Sequence, residues 1–261
     1  TINFIAPLPK WDTEKPFNLA WPLPADQPKI NSIYDKHEVQ IADGRGREGE
    51  FSLDLHGFAF AKMSAKDSLR SKEAIQTEYV AQVESWLKQF LGAEKVVAFD
   101  FAVGPLTFKR SSSQRLKNDN SINQTLEAAL SRLRLYFDGE TESLVNGRVR
   151  FINVWRSLIE PLEDTPLAVM DAQSLAAEDL MAHDIVYPHH LGENYLVKFN
   201  SNHRWYYLSR MTTEECILIK NLDSELHESA RMCPHAGFED ANTPPKAPWR
   251  KSVEVRLIVF N

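Results

Sequence analysis

The chain has 261 residues, 43% hydrophobic and 25% charged, and 30 basic against 36 acidic side chains leave a formal net charge of −6. That mixture is globular and excludes a disordered or fibrous chain, and the acidic balance gives no bulk attraction to nucleic acid or to an anionic membrane. Cys216 and Cys233 are too few for a disulfide framework, no apolar run approaches the roughly 20 residues that span a bilayer, and no signal peptide is visible, so a cytoplasmic protein is expected. The short basic cluster Lys109, Arg110, Arg115 and Lys117 reads as a solvated loop.

The first 35 residues are rich in proline and aromatics, among them Pro7, Pro9, Trp11, Pro16, Phe17, Trp21, Pro22 and Pro24. Proline removes donors and fixes φ, so this stretch reads as an extended arm packed over a surface. From His37 the pattern turns strand-like, with Val39 and Ile41, then Phe51, Leu53 and Leu55 alternating with polar neighbours. Ser64–Gly92 is the clearest helical stretch. Its Ile75, Tyr79, Val83, Trp86 and Phe90 recur at steps of three and four, Ser64 with Asp67 resembles a capping pair, and Gly92 is a natural stop. A buried strand over Lys95–Phe101, a loop over Thr107–Asn120 and a second amphipathic helix from about Ile122 to Phe137 follow, the last with Ser121 and Gln124 as its capping box. After Gly147 short strand-like runs succeed one another, roughly Arg148–Leu158, Leu167–Asp171, Ile185–Tyr187, Tyr195–Asn200, Trp205–Leu208, Cys216–Asn221 and Ser252–Phe260. Many short strands separated by turns predict an antiparallel sandwich or barrel, and helices early with strands late predict α+β. A single domain over 1–261 is expected, divided into the arm (1–35), strands with flanking helices (36–146) and the main strands (147–261). No P-loop or glycine-rich dinucleotide fingerprint is present.

None of the eight histidines stands in a His-x-His or His-Glu-x-x-His pattern, so no local metal motif announces itself. His189 and His190 are adjacent in a turn, where neighbours point to opposite faces, and read as exposed loop residues. His235 follows a strand-like stretch, in Cys-Pro-His-Ala-Gly-Phe, and Arg256 lies inside the last strand, in Val-Glu-Val-Arg-Leu-Ile-Val. An arginine there is costly unless it meets solvent or an anion. It either pairs with a carboxylate on the barrel or forms a guanidinium fork for a small acid.

Four blocks, in order, carry a resemblance: Arg45–Phe58 (Arg-Gly-Arg-Glu-Gly-Glu-Phe-Ser-Leu-Asp-Leu-His-Gly-Phe), Phe151–Arg156 with Pro166–Asp171, Tyr195–Tyr207, and Cys233–Phe238 followed by Val253–Arg256. Together they resemble the fungal hydroxylase/desaturase family that includes gibberellin-desaturase-like and cephamycin-methoxylation-like proteins, over nearly the whole chain. The resemblance implies a double-stranded β-helix (jelly-roll, cupin-like) core, natural-product tailoring, and an ancestral Fe(II)/2-oxoglutarate site. That site uses a His-x-Asp pair, a distant histidine and an arginine for 2-oxoglutarate, two imidazoles and a carboxylate leaving open positions on the iron. Here the distant histidine matches His235, the arginine Arg256 and the aspartate Asp119, while Lys117 stands at the first histidine.

A protonated ammonium is repelled by a dication and donates no lone pair, and a Lys117–Asp119 ion pair fills the space a metal would leave. The first expectation is therefore an enzyme needing no metal and no cofactor. It would hold a small apolar terpenoid or polyketide in a cavity contributed by Trp155, Tyr195, Lys198, Phe199, Trp205 and Tyr207. Cyclisation, a pericyclic step of the Diels–Alder type, or isomerisation would follow, with Lys117, Asp119, His235 and Arg256 as catalytic residues. The alternative keeps Fe(II) and 2-oxoglutarate, with Asp119 and His235 on the metal, for hydroxylation or desaturation. A third reading is a non-catalytic partner of such an enzyme. Neither nucleic acid nor a membrane is expected as a partner, and the aromatic arm would serve a homodimer interface as readily as its own surface.

Overall fold

The computed structural model describes residues 1–20, 29–64, 69, 71–104, 121–122, 125–137, 147–189, 191–225 and 230–261. The expected loop over Thr107–Asn120 lies outside them. Two sheets enclose a common interior. The five-stranded sheet runs Phe58–Lys62, Glu215–Asp223, Val149–Ser157, Ser252–Phe260, Lys95–Val103, antiparallel throughout. The eight-stranded sheet runs Phe17–Leu19, Leu180–Val186, Leu191–Val197, Ser121–Ile122, His235–Gly237, Leu167–Met170, Trp205–Tyr207, Ile41–Asp43. Its end pairs, with Phe17–Leu19 and Ile41–Asp43, are parallel. This is the jelly-roll that the resemblance implies, and it recruits strands from the whole chain, not just its C-terminal part.

Strand alternation sorts the layers. From the central strands Val253, Val255, Leu257, Ile152, Val154 and Leu218 face outward and are buried under a helical segment. Phe58, Phe60, Trp155, Ile217 and Ile219 face inward and meet Leu167 and Val169 of the other sheet. A third cluster on the outer face of the eight-stranded sheet joins Ala168, Met170, Val197 and Trp205 to Ile2 and Phe4. The N-terminal strand Ile2–Ile5 pairs with Tyr34–His37, so the aromatic arm lies down on its own sheet.

The first helix begins later than expected and stops at Gly92 as expected. It starts at Lys72, where the Ser71 hydroxyl accepts from the Ala74 N–H, and Gly92 ends it in the left-handed conformation (φ 61°). A π-helical turn over Ile75–Tyr79 precedes the α-helix Val80–Leu91. The buried stripe is Ile75, Tyr79, Val83 and Leu87, while Phe90 is exposed and stacks on Trp86. The wide turn resets the helical phase, which moves the last buried contact from Phe90 to Leu87. The second helix is Leu126–Tyr136, capped by Thr125 instead of Ser121, which belongs to a strand.

A buried ion cluster ties the five-stranded sheet to the short helix Leu53–His56. Lys220 has no exposed surface and donates to Asp223 (2.6 Å) and Asp54 (3.2 Å), and Arg148 donates to both carboxylates (2.6 and 2.7 Å). Burial pushes the Asp223 carboxyl up, but the bonds from Arg148 and Lys220 more than reverse it, and Asp54 is lowered by the same partners against its own desolvation. Depressed carboxylates add stability that is fully present above their unfolded values, about 4, and is lost as pH falls through the lower folded values. Denaturant unfolding will therefore show stability declining below about pH 4. Asp223→Ala will cost roughly 3–5 kcal/mol, because it strands the Lys220 ammonium in the core. Lys220→Met paired with Asp223→Leu will restore most of that loss.

Candidate functional site

The inward faces of the two sheets carry aromatic walls and a few polar side chains. Phe51, Phe58, Phe60 and Trp155 line one side with Val169 and Tyr206 opposite, the last two being cross-strand neighbours. Into this interior point His235, Glu254, Arg256 and Asn153. His235 sits on the strand His235–Gly237, paired with inward-facing Val169. Arg256 lies opposite Asn153, and Glu254 opposite Trp155, across the ladder between Ser252–Phe260 and Val149–Ser157.

His235 is 9% exposed, and its Nδ1 lies 3.1 Å from the Cys233 carbonyl oxygen. A carbonyl only accepts, so Nδ1 carries the proton and Nε2 keeps its lone pair. Burial lowers the pKa of the ring, with Arg256 acting the same way against Glu254 and the Cys233 bond, so the imidazole is held neutral. A neutral ring oriented through its other nitrogen fits a metal. Among the described residues no group of three His, Cys, Asp or Glu is placed to hold one. Lys117 and Asp119 lie outside the described residues.

The two arginines of this region differ in what they have left to give. Arg256 donates Nε to Glu254 (2.8 Å) and a terminal nitrogen to Asp100 (2.6 Å), at a rim where its side chain is 32% exposed and that of Asp100 46%. It therefore has the carboxylate partners of the structural alternative. Arg250 is 8% exposed and forms no ion pair among the described residues. One terminal nitrogen reaches the Thr165 carbonyl oxygen (2.7 Å), Nε has no partner, and the guanidinium lies 5.8 Å from the Trp155 ring centroid. Burial pushes its pKa down to about 10, against the opposing pull of Asp164 and Glu254. Glu254 thus sits within electrostatic reach of His235, Arg250 and Arg256 together.

Of the expected cavity aromatics only Trp155 faces inward. Trp205, Tyr195 and Tyr207 belong to the outer cluster beneath the N-terminal strand, where Phe4 meets Trp205 edge-on and Phe238 meets Tyr207 edge-on. Phe199 stacks on His37 at 4.0 Å, and Lys198 donates to the Glu178 carbonyl oxygen at the surface. Parity explains the difference: in Trp205–Tyr207 the residue that turns inward is Tyr206, opposite Val169. Arg250 carries no signal in the sequence, because an arginine in a proline-rich loop ahead of a strand gives no sign of burial.

A family model described as oxidoreductase/YMDC permease-like domain matches residues 2–260. The chain is 31% identical over 246 residues to an Fe(II)/2-oxoglutarate-dependent dioxygenase of Aspergillus novofumigatus, covering 90% of this chain and 87% of that one. It is 29% identical over 252 residues to a hydroxylase/desaturase of Hormonema carpetanum, covering 87% and 84%. A solved iron and alpha-ketoglutarate-dependent endoperoxidase superposes with a TM-score of 0.89 at 27% identity, over 100% of this chain and 96% of the other. These relatives overturn the expectation of an enzyme without cofactors: the dioxygenase and the endoperoxidase are both named for iron and 2-oxoglutarate. No helix among the described residues is long and apolar enough to cross a membrane.

Neither thiol is available as a nucleophile. Cys216 is pushed up to about 11 by burial, and Cys233, fully enclosed two residues before His235, is raised further by the same cause. Native protein at pH 8 will leave an aromatic disulfide reagent uncoloured, and both thiols will titrate once denaturant is added.

Proposed function

The chain belongs to the oxidoreductase/YMDC permease-like domain family, and on that premise we propose that it is an Fe(II)/2-oxoglutarate-dependent oxygenase that tailors a fungal secondary metabolite by hydroxylation or desaturation. The observation that carries this reading is the pairing of a buried neutral imidazole, His235, with a buried guanidinium, Arg250, that is in no ion pair among the described residues, around one aromatic interior. A desolvated unpaired cation is costly to maintain and is offset when a carboxylate arrives.

In this reading His235 Nε2 and the Asp119 carboxylate hold the metal, and Arg250 receives the distal carboxylate of 2-oxoglutarate. When bound, iron and 2-oxoglutarate activate oxygen: two electrons come from the keto acid, which leaves as succinate and carbon dioxide, and two from the substrate. The chain's own part is positioning. The Cys233 carbonyl fixes the His235 tautomer, Glu254 and Asp100 neutralise Arg256 at the rim, and Phe51, Phe58, Phe60, Trp155 and Tyr206 keep water from the interior. Lys117, placed by the resemblance at the first imidazole, leaves the metal fewer protein ligands than the family pattern has, so Lys117→His is expected to tighten iron binding.

The purified protein, supplied with a candidate metabolite, will form succinate from 2-oxoglutarate only with Fe(II) and oxygen, and chelator will stop it. Arg250→Met will weaken 2-oxoglutarate binding by roughly tenfold or more with little change in stability, since the relief of a desolvated charge offsets the lost hydrogen bond to the Thr165 carbonyl. Turnover that persists with chelator and without 2-oxoglutarate would overturn the assignment.

A further inference from the structure

Asn153 is the second inward-facing donor left unspent. It lies in the middle of the central strand Val149–Ser157, is 2% exposed, and its Nδ2 has no hydrogen-bond partner among the described residues. Its direction follows from the ladder. Val154 and Ile152 on either side belong to the outward cluster, whereas Trp155, two residues along, and Ile219, its neighbour on the adjoining strand, belong to the inward one or face it. The other cross-strand neighbour, Arg256, carries donors alone, and its guanidinium is turned to Glu254 and Asp100, so neither neighbour accepts from Asn153. A buried amide donor without an acceptor costs a protein about 1–3 kcal/mol. An apolar residue of similar size would be the better choice for stability alone.

We propose that Asn153 is a co-substrate-binding residue: its Nδ2–H donates to the carboxylate of 2-oxoglutarate at the end opposite Arg250. The inference rests on the co-substrate reading above and adds a contact to it. Arg250 lies over Trp155, and Asn153 is two residues from Trp155 on the same face of the same strand. Two residues along a strand advance roughly 7 Å, a span suited to a five-carbon dicarboxylate held at both ends. One end then meets a full charge and the other a neutral donor, which fixes the direction in which the keto acid lies. Arg250 Nε and Asn153 Nδ2 are both buried and without an acceptor among the described residues, and a single dicarboxylate meets the two together.

The test is anaerobic calorimetry with 2-oxoglutarate on Fe(II)-reconstituted protein, alongside thermal unfolding of the same samples. Asn153→Leu is expected to weaken 2-oxoglutarate binding by roughly tenfold to a hundredfold, the loss of a hydrogen bond to a charged group, while the unfolding temperature holds or rises. A residue with only a structural role would not move these two readouts in opposite directions. Asn153→Asp keeps the size and replaces the donor by an acceptor, so it is expected to weaken binding further, and Asn153→Ser, which keeps a donor, is expected to recover part of the affinity. If Asn153→Leu does not fold, the order Asn, Ser, Asp decides the matter. Wild-type affinity retained in the Leu variant, or in the Asp variant, overturns the role of Asn153 alone. Wild-type protein that binds no 2-oxoglutarate overturns the co-substrate reading, and the Asn153 contact with it.

Discussion

Fold and site are both set by the alternation of side chains along Ser252–Phe260. Its odd-numbered residues, Val253, Val255, Leu257 and Val259, pack outward into the layer closed by Ile75, Tyr79, Val83 and Leu87. That burial holds the strand in one register, because a slip of one residue would put Glu254 and Arg256 under the helix and their valine neighbours into the interior. The same constraint delivers Glu254 beside Trp155 and Arg256 beside Asn153. The polar equipment of the interior is thus fixed by an apolar contact on the opposite side of the sheet.

Charge inside the barrel is distributed unevenly, and the unevenness is informative. Arg256 is matched by two carboxylates near solvent, whereas Arg250 is enclosed with a backbone carbonyl and an aromatic face as its neighbours. An aromatic face offsets part of the desolvation of a guanidinium but supplies no counter-charge. Arg156, with no exposed surface, is served the same way under the helix, where one terminal nitrogen reaches the Met63 carbonyl oxygen (2.6 Å) and the guanidinium lies 5.3 Å from the Tyr79 ring centroid. Lys220, with no exposed surface, has two carboxylates, and Arg148 shares them. What sets Arg250 and Asn153 apart from Arg156 is direction: Arg156 lies against Tyr79 in the helical layer, whereas Arg250 and Asn153 adjoin Trp155 on the inward face, where a ligand can reach them.

Much of the strand order after Gly147 was legible from the sequence, since apolar alternation between turns marks a strand whatever its partners. Ser252–Phe260 was read to the residue, and Arg148–Leu158 exceeds the observed strand by one residue at each end. The first helix was legible as a helix but not in phase, because a π turn over Ile75–Tyr79 depends on hydrogen bonding that no apolar period encodes. The walls of the interior were misread for a different reason. In Trp205-Tyr206-Tyr207 all three residues suit either face, and what decides the parity is the cluster of Ile2 and Phe4 pressed against Trp205 from about 200 residues away in sequence. His235 was legible from its motif, and Arg250 was not, since burial of a loop arginine follows from tertiary packing on Trp155.

That last point bears on how the N-terminal strand serves the site without touching it. By covering the outward faces of Ala168, Met170 and Trp205 it holds the strands Leu167–Met170 and Trp205–Tyr207 with Val169 and Tyr206 turned inward. Val169 is the cross-strand partner of His235, so the orientation of the imidazole is set in part by apolar packing on the far side of its sheet. The two outer layers, helix on one sheet and N-terminal strand on the other, therefore act alike. Each spends its apolar area fixing parity, and parity decides that His235, Asn153, Glu254 and Arg256 turn toward the same enclosed space.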